Sequence, residues 1–435
     1  MSVPASWGRY PQYDQQLLSL PRPEPHLPPD GLLLPYGLGR SYGDSCQNES
    51  GYLLQTRLWD RFIAFDTESG VLKCEAGVSL EAIIKFCLPH GWFLPVTPGS
   101  KYVTVGGAIA NDVHGKNHHI AGSFGNHVHS FDLLGSDGCI KHCSRKHEAD
   151  WFRATIGGLG LTGLVLRATI QLKRVDSAFM DVETIKFGNL EEFESLSRES
   201  ADTHEYTVAW LDCVSGGDNL GRGIFFRANH ASGAGAADLL LKERRKMSVP
   251  LPFPNLALNS YTMRAFNALY YNRIRAERSD SREYFDGYFY PLDAIKQWNF
   301  IYGRRGFLQY QFVIPLEAYA VLKQILTEIV ASGSGSFLAV LKEFGSIQSE
   351  GLLSFPRRGV SLALDFPNDG EKTFELLNRL DERVAEVDGA IYPAKDARMA
   401  PKMFSRGYPN LDEFTKFVDE RFSSSFWRRV MEKSV

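Results

Sequence analysis

Two glycine-rich loops in the first third of the chain constrain its fold more than any other feature. The first, residues 34–44 (LPYGLGRSYGD), directly follows a short apolar run. The second, residues 98–118 (PGSKYVTVGGAIANDVHGKNH), contains a glycine pair and ends with histidine and lysine side chains. Closely spaced glycines let backbone N–H groups converge on a phosphate, because no Cβ blocks the approach. Either loop alone could be an ordinary turn, but together they predict a site for a phosphate-bearing ligand with a flat ring.

A third glycine motif, residues 158–163 (GLGLTG), matches the GxGxxG spacing of nicotinamide-binding proteins. That fingerprint requires a strand before the glycines and a helix after them. Here the order is reversed, since residues 151–156 have a helical pattern and residues 164–172 have the pattern of a strand. We therefore reject a Rossmann site at this position.

The length, net charge and composition of the chain exclude several classes of protein. Its 435 residues exceed one ordinary core, so two domains are expected. A net charge of −3 gives no reason to expect nucleic-acid binding, and six cysteines are too few for a disulfide scaffold. The N-terminus lacks the pattern of a signal peptide, and no apolar run approaches the roughly 20 residues of a membrane span. We expect a cytoplasmic protein.

The residue pattern predicts an α+β fold in which residues 1–175 form the first domain, residues 176–388 form the second, and residues 389–435 return to the first. The second domain is expected to contain a sheet with one polar face. The predicted strands lie at residues 32–34, 62–65, 71–74, 164–172, 206–212, 223–226 and 307–314. The predicted helices lie at residues 79–87, 151–156, 316–331 and 371–387.

Residues 231–281 differ in composition from both domains. They begin with a flexible SGAGAA and a charged KERRK, and the prolines of VPLPFPNLAL then prevent a continuous helix. An aromatic and basic stretch with Tyr270, Tyr271, Arg273 and Arg275 follows. Two interpretations remain open. The segment is either a surface loop packed on its own domain or a mobile lid that faces a membrane and a greasy, anionic substrate.

Four side chains of the second half are candidates for sugar and anion recognition. Gln309 and Gln311 alternate along a predicted strand, so both face the same side. Two amides on one face suit the recognition of hydroxyl groups, or they belong to a polar sheet face. Lys342 and Lys395 each follow an apolar stretch, and each could pair with a phosphate or carboxylate or lie on the surface.

The histidines do not predict a metal site. Five of the eleven lie between residues 114 and 129, and a second group surrounds the two cysteines of residues 139–143. Neither group has the ligand spacing of a zinc site. Hydrogen bonding around a cofactor is the better interpretation of the first group, and a solvated turn is the better interpretation of the second.

Five segments, in one order, resemble the FAD-dependent oxidases of the vanillyl-alcohol-oxidase type, which carry a PCMH-type FAD-binding domain. They are GLGRSYGD, VTVGGAIANDVHGKNHHIAGSFGNHV, GGLGLTG, GFLQYQFVIP and YPAKDAR, and the resemblance runs from residue 34 to at least residue 408. Within this family, the chain resembles the members that oxidise a polyprenylphosphoryl ribose. The implied fold is a two-part FAD-binding domain, completed by the C-terminal return, and a substrate domain of antiparallel sheet and helices.

The resemblance also implies the site residues. Those at the reacting centre would be Lys395, Gln311, His114 and Tyr42, and further contacts to substrate would come from Lys116, Gln309, Lys342 and Ser361. The contacts to FAD would come from Pro35, Tyr36, Gly37, Leu38, Gly39, Arg40, Ser41, Tyr42, Gly43, Asp44, Ser45, Gly99, Thr104, Val105, Gly106, Gly107, Asn111, Asp112, Val113, His114, Val165 and Tyr392.

The implied reaction is oxidation of the ribose 2′-hydroxyl to a ketone, with a separate NAD(P)H-dependent reductase completing the inversion of that carbon. Lys395 would stabilise the developing oxygen charge, Gln311 would hold hydroxyls, and His114 and Tyr42 would handle the proton. A lipid-linked substrate would bring a peripheral contact with the inner face of the cytoplasmic membrane. Two alternatives remain: a soluble sugar, alditol or aldonolactone oxidase that uses oxygen, and a non-catalytic flavin-binding protein.

Arg40 predicts that the FAD is held without a covalent bond. In many members of the family, a histidine of the first glycine loop is bonded to the flavin, and Arg40 occupies that place here. Denaturing the holoprotein and filtering it should therefore pass all flavin into the filtrate, as measured by absorbance. Flavin retained on the denatured chain would contradict this prediction.

Overall fold

The structure, a computed structural model, describes residues 5–22, 25–233, 235–242, 246–254 and 258–432. Its α-helices are α1 (Leu80–Cys87), α2 (Val105–Ala110), α3 (His118–Ala121), α4 (Ala149–Thr155), α5 (Leu190–Ser200), α6 (Ser260–Asn272), α7 (Phe285–Phe289), α8 (Tyr319–Ser332), α9 (Glu371–Glu386), α10 (Pro401–Gly407), α11 (Leu411–Phe414) and α12 (Ser425–Met431). The first ten strands are β1 (Gln16–Ser19), β2 (Leu33–Tyr36), β3 (Tyr52–Gln55), β4 (Phe62–Phe65), β5 (Val71–Glu75), β6 (Trp92–Phe93), β7 (Val128–Leu134), β8 (Ile140–Ser144), β9 (Leu164–Gln171) and β10 (Lys173–Arg174). The others are β11 (Phe179–Phe187), β12 (Tyr206–Leu211), β13 (Gly223–His230), β14 (Met247–Ser248), β15 (Arg278–Tyr284), β16 (Ile295–Lys296), β17 (Phe307–Ile314), β18 (Ala339–Phe344), β19 (Gly359–Pro367) and β20 (Ala390–Ile391).

Three larger sheets organise these elements. In the first, β1 and β2 flank β3 in parallel. The second is an antiparallel sheet in the order β4-β5-β9-β7-β8. The third has eight antiparallel strands in the order β15-β11-β13-β12-β18-β19-β17-β20. This mixture of helices and mainly antiparallel sheets confirms the predicted α+β class.

Local sequence signals explain several of these elements. Helix α1 begins where the Ser79 hydroxyl accepts a hydrogen bond from the Ala82 N–H at 3.1 Å. Its apolar residues recur at helical spacing and lie buried against the five-stranded sheet. Around the GLGLTG motif, α4 precedes the glycines and β9 follows them. The predicted order of a helix before the glycines and a strand after them is therefore confirmed.

The eight-stranded sheet has a polar face, as predicted, but that face lies inside the protein. Every residue of β12 and β17 is buried. Helices α8 and α9 pack together on the apolar side, where α9 contacts β17. The polar side of β17, which carries Gln309 and Gln311, faces a cavity inside the protein. A pattern of alternating polar and apolar residues therefore marks an internal site here and not a solvent-facing surface.

The C-terminal segment connects the large sheet to the first glycine loop. Strand β20 lies at the edge of the eight-stranded sheet, next to β17. The chain then turns back, and Phe422 forms a bridge to Leu33 of β2. From α12, the Arg429 guanidinium reaches the buried carboxylates of Asp44 at 2.7 Å and Asp396 at 2.8 Å. The domain boundaries at residues 175 and 388 remain predictions.

The unusual segment of residues 231–281 contains regular structure within its described part. Residues 234, 243–245 and 255–257 lie outside the described residues. Helix α6 follows an N-cap at Asn259 and is attached to the sheet by Asn267, whose amide donates to Asp212 at 3.1 Å. Strand β15 forms the edge of the eight-stranded sheet. Across the described ranges, no helix combines the length and apolar character needed to span a membrane.

Replacing Arg429 by glutamine should destabilise the protein strongly, because two buried carboxylates would lose their shared cation. Breaking a buried ion pair from one side costs about 3–5 kcal/mol. The free energy of unfolding in denaturant measures the effect. The control is Arg406→Gln, which removes an exposed pair with Asp388 and should cost about 0–1 kcal/mol. Equal losses in the two variants would contradict the role of Arg429.

Candidate active site

A cavity of about 900 Å³ lies where the two glycine loops meet the eight-stranded sheet. One end is formed mainly by backbone, from the first loop and from the residues around α2. The other end is formed by side chains of β17, of β18 and of the turn after β20. The volume falls within the range of sites for small molecules and cofactors.

The backbone end fits a flat, phosphate-bearing cofactor. Gly37 and Gly39 of the first loop and Gly99 and Gly107 of the second line this end. A Cβ added at Gly99 would meet no atom within 4 Å, so the backbone there is open to the cavity. The Ser45 hydroxyl on the same wall is buried, with no hydrogen-bond partner among the described residues. These groups would hold FAD by backbone contact and by a spare hydroxyl donor.

The opposite end of the cavity is cationic. Lys116, Lys342 and Lys395 all line it, from three separate parts of the chain. Burial lowers the pKa of Lys116 to about 7, with a further lowering by Lys342. Burial likewise lowers the pKa of Lys342 to about 8. Three partly buried ammonium groups repel one another, so this end of the cavity favours an anion or a developing negative charge.

Each of these lysines has a defined environment. The Lys342 ammonium donates to the Gly115 carbonyl at 3.3 Å. The Lys116 ammonium donates to the Tyr288 carbonyl and lies 4.1 Å from the centre of the Tyr288 ring. The Lys395 ammonium lies 3.7 Å from the centre of the Tyr42 ring. The carbonyls and ring faces fix the positions of the three charges without neutralising them.

Gln311 connects the sheet to the second glycine loop. Its amide nitrogen donates to His114 Nε2 at 2.9 Å and to Ser361 Oγ at 3.2 Å. Burial and then the charge of Lys342 hold the pKa of His114 well below its usual value, so the imidazole is neutral. Because Nε2 already accepts this hydrogen bond, His114 can take a substrate proton at Nε2 only after Gln311 releases it.

Gln309, two residues before Gln311, contacts a buried carboxylate that the sequence interpretation missed. Its amide nitrogen donates to Asp365 Oδ1 at 2.5 Å, and the Tyr302 hydroxyl donates to Asp365 Oδ2 at 3.4 Å. Gln309 also acts on Tyr42: burial and the Asp365 charge raise the pKa of Tyr42, whereas Gln309 lowers it. A signal was available: Asp365 is the single charged residue in the apolar run GVSLALDFP, on the same strand face as Ser361.

Most of the predicted site residues line this one cavity. They are Pro35, Tyr36, Gly37, Leu38, Gly39, Arg40, Ser41, Tyr42, Ser45, Gly99, Thr104, Gly106, Gly107, Asn111, Val113, His114, Lys116, Val165, Gln309, Gln311, Lys342, Tyr392 and Lys395. Residues that are far apart in sequence therefore share one space. Their roles toward a cofactor or substrate remain predictions.

Five predicted site residues lie behind the cavity wall. Asp44 pairs with Arg429, and Val105 lies in the core. The Asp112 carboxylate accepts hydrogen bonds from the Gly125 N–H and from two serine hydroxyls. Ser361 accepts from Gln311, and Gly43 packs against the Asp396 carbonyl. In this structure these residues support the wall and do not face the cavity.

One wall of the cavity is apolar. Val182, Val208, Phe226 and Val340, from four neighbouring strands of the large sheet, form this wall. Aromatic and basic side chains also line the cavity: Trp210, Lys246, Tyr270, Arg273 and Lys296. The site therefore combines its cationic lysines with an apolar wall and further basic side chains.

The histidines after the second glycine loop serve other contacts. His118 packs on the ring of Phe344 at 4.7 Å, and His119 and His127 each contact a backbone carbonyl. In the described part of the chain, no group of three or more His, Cys, Asp or Glu side chains is arranged to hold a metal ion.

Comparison with known proteins identifies the class of cofactor-binding domain. The family model for an FAD binding domain matches residues 30–144, which include both glycine loops. The chain therefore binds FAD, in agreement with the fit of the backbone end of the cavity. Mouse L-gulonolactone oxidase, a more distant relative, is 30% identical over 28% of this chain and 27% of its own length.

Two longer matches define the family. The chain is 39% identical to decaprenylphosphoryl-beta-D-ribose oxidase of Mycolicibacterium smegmatis, over 91% of this chain and 88% of the relative. It is 33% identical to an uncharacterized protein of Streptomyces coelicolor, over 81% of this chain and the whole of the relative. The chain belongs to the family of FAD-dependent oxidases that includes decaprenylphosphoryl-beta-D-ribose oxidase. The resemblance inferred from its motifs is confirmed.

Proposed function

We propose that this protein oxidises the 2′-hydroxyl of a polyprenylphosphoryl-β-D-ribose to the 2′-ketone. The observation that carries the proposal is the composition of one continuous cavity. Its backbone end suits FAD, its middle offers the Gln309 and Gln311 amides for sugar hydroxyls, and three lysines stand at its cationic end. The named activity of the relative that aligns with 91% of the chain supports the same substrate. The apolar wall of the cavity suits a prenyl chain.

Bound FAD supplies the acceptor for the hydride that leaves the carbinol carbon. The chain's own residues would orient the sugar and stabilise charge. The Lys395 ammonium, held over the Tyr42 ring, is the candidate to stabilise the oxygen as its proton leaves. Gln311 would hold the neighbouring hydroxyls, with its orientation set by His114 and Ser361.

The proton of the hydroxyl needs an acceptor with a free lone pair. Burial raises the pKa of Tyr42 well above its usual value, so its phenol stays protonated at neutral pH and cannot act as the base that takes up the substrate proton. His114 is neutral, and its Nε2 becomes available when Gln311 turns toward substrate. His114 is therefore the favoured acceptor and Tyr42 a donor that holds the sugar oxygen.

A 2′-ketone product would have to be reduced by a second enzyme to complete the inversion of that carbon. Reduction of that ketone from the opposite face, by a separate NAD(P)H-dependent reductase, would invert the carbon and give the arabinose isomer. Oxidation and reduction together would amount to epimerisation.

Anaerobic addition of a polyprenylphosphoryl ribose should bleach the oxidised flavin of the holoprotein. Lys395→Ala should keep its FAD and bleach at least about 100-fold more slowly, the order of loss seen when one oxyanion-stabilising group is removed. Stopped-flow absorbance measures both rates. Equal bleaching by free ribose or an alditol, with peroxide formed in air, would favour a soluble sugar oxidase. A flavin that no polyol reduces would favour a non-catalytic protein.

We further propose that the protein works in the cytoplasm and contacts the membrane that carries its lipid-linked substrate. Residues 240–275 contain seven Lys and Arg but one Glu, in a chain of net charge −3. Of the fifteen large apolar residues exposed among the described residues, eight lie at residues 240–269. On α6, Tyr261 and Leu269 lie two turns apart and are 81% and 74% exposed, while Asn267 is buried on the opposite face. A basic surface with exposed rings and aliphatic side chains suits an anionic bilayer.

The holoprotein should float with vesicles that contain anionic lipid, and high salt should weaken this binding. A Tyr261→Ser, Leu269→Ser double variant should lose flotation while keeping its FAD and its thermal stability, since both side chains are exposed. The control is Leu58→Ser, an exposed leucine of the first domain. If the wild-type protein stays with the unbound fraction at low salt, the membrane proposal is wrong.

A further inference from the structure

One buried carboxylate near the reacting end of the cavity has no role in the mechanism above. Asp365 of β19 lies opposite Gln309 of β17 across the antiparallel register, and it is 1% exposed. Its two carboxylate oxygens receive hydrogen bonds from the Gln309 amide and from the Tyr302 hydroxyl. Neither donor is a cation, so hydrogen bonding alone does not offset the desolvation of its charge.

The cation that acts on Asp365 electrostatically is Lys395. Burial lowers the pKa of Lys395, Lys342 lowers it further, and the Asp365 carboxylate raises it. In return, burial raises the pKa of Asp365, while Lys395 lowers it. The two groups do not form a contact ion pair among the described interactions, so Asp365 acts on the lysine through the low-dielectric interior and leaves its ammonium free for a ligand.

Asp365 also reaches Tyr42 through Gln309. The Gln309 amide donates to the Asp365 carboxylate and also acts on Tyr42, whose pKa it lowers, and the Tyr42 ring lies beneath the Lys395 ammonium. Asp365 therefore affects both the charge of the Lys395 ammonium and the aromatic ring beneath it. It acts on the charge of the ammonium directly, and on the ring that supports it by way of one amide.

We infer that Asp365 is a positioning residue for the oxidation: it keeps the Lys395 ammonium charged, and it orients the Gln309 amide and Tyr42 beside it. Nothing in the family comparison assigns this role. The inference rests on the proposed function, because it takes Lys395 as the group that stabilises the substrate oxygen. By this account the cationic end of the cavity depends on a carboxylate that does not itself line the cavity.

The inference predicts a specific dependence on pH. Four titratable groups face Lys395: Tyr42 from the first loop, His114 after α2, Lys342 of β18 and Asp365 of β19. A lysine with a lowered pKa loses its charge as pH rises through that pKa. Removing the Asp365 charge lowers the pKa of Lys395 further, so activity should fall at a lower pH. At acidic pH the difference should vanish, because Lys395 is charged and Asp365 itself takes up a proton.

The test is Asp365→Asn, which keeps the side-chain shape and one acceptor oxygen. The rate of anaerobic flavin reduction by polyprenylphosphoryl ribose should be close to wild type at pH 5.5. Its alkaline decline should move down by about one pH unit or more, the usual effect of losing a nearby opposite charge. In a double variant with Lys395→Arg, Asp365→Asn should cause no further shift, since arginine stays charged.

A second measurement does not depend on turnover. The absorbance of the bound flavin should change with pH as Lys395 titrates, and this change should disappear in Lys395→Met. In Asp365→Asn it should move to lower pH. If substrate fails to reduce the wild-type flavin, the proposed function fails while this titration still tests Asp365.

The matched control is Asp381→Asn. Asp381 of α9 is also buried and also accepts from a tyrosine hydroxyl, that of Tyr310 at 3.0 Å, but it is paired with Arg398 and does not line the cavity. It should lose stability without any shift of the pH profile. An unchanged profile in Asp365→Asn, or an equal loss of rate at every pH, would overturn the inference. Should Asp365→Asn hold no FAD, Asp365→Ser is the second variant, and failure of both to hold FAD would assign Asp365 to the fold alone and also overturn it.

Discussion

The close approach of the first glycine loop to the turn after β20 is the contact on which the site depends. A Cβ at Gly43 would lie 1.7 Å from the Asp396 carbonyl, so no other residue allows this packing. The neighbouring Tyr42 N–H donates to the Ala394 carbonyl at 2.8 Å. These contacts hold Lys395 over the Tyr42 ring. Arg429 stabilises the same contact from behind by pairing with Asp44 and Asp396.

Around this contact the protein places three lysine side chains in one cavity. Burial lowers the pKa of all three, and the charge of Lys342 lowers the pKa of Lys116 and of Lys395 further. A pocket of this kind is poorly stable without a ligand and strongly favours one that brings negative charge. The phosphate of the proposed substrate and the hydroxyl oxygen that loses its proton in the proposed oxidation both bring such charge. Asp365 offsets part of the repulsion from a position that leaves the lysines accessible.

Residues 240–275 combine exposed apolar side chains with basic side chains. Their exposed apolar side chains favour leaving water, and their basic side chains favour an anionic surface. Helix α6 is nevertheless attached firmly to the large sheet through Asn267 and Asp212. A membrane contact at this helix would therefore place the apolar wall of the cavity next to the lipid.

The sequence by itself determined the glycine loops, the elements around them, the reversed order at GLGLTG and most of the residues that share the cavity. The loops, the elements and their order depend on local backbone freedom and on periodicity, which a sequence contains directly. The site residues that share the cavity were implied by the resemblance of the motifs to a family. Only the tertiary structure decided that Asp112, Asp44 and Ser361 face away from the cavity and that Asp365 lies beneath Gln309. These facts depend on which face of an element another element covers, and that is set by packing between residues 50 to 385 positions apart in the sequence. The alternation of Gln309 and Gln311 predicted a shared face correctly, but that this face is internal follows only from the assembled protein.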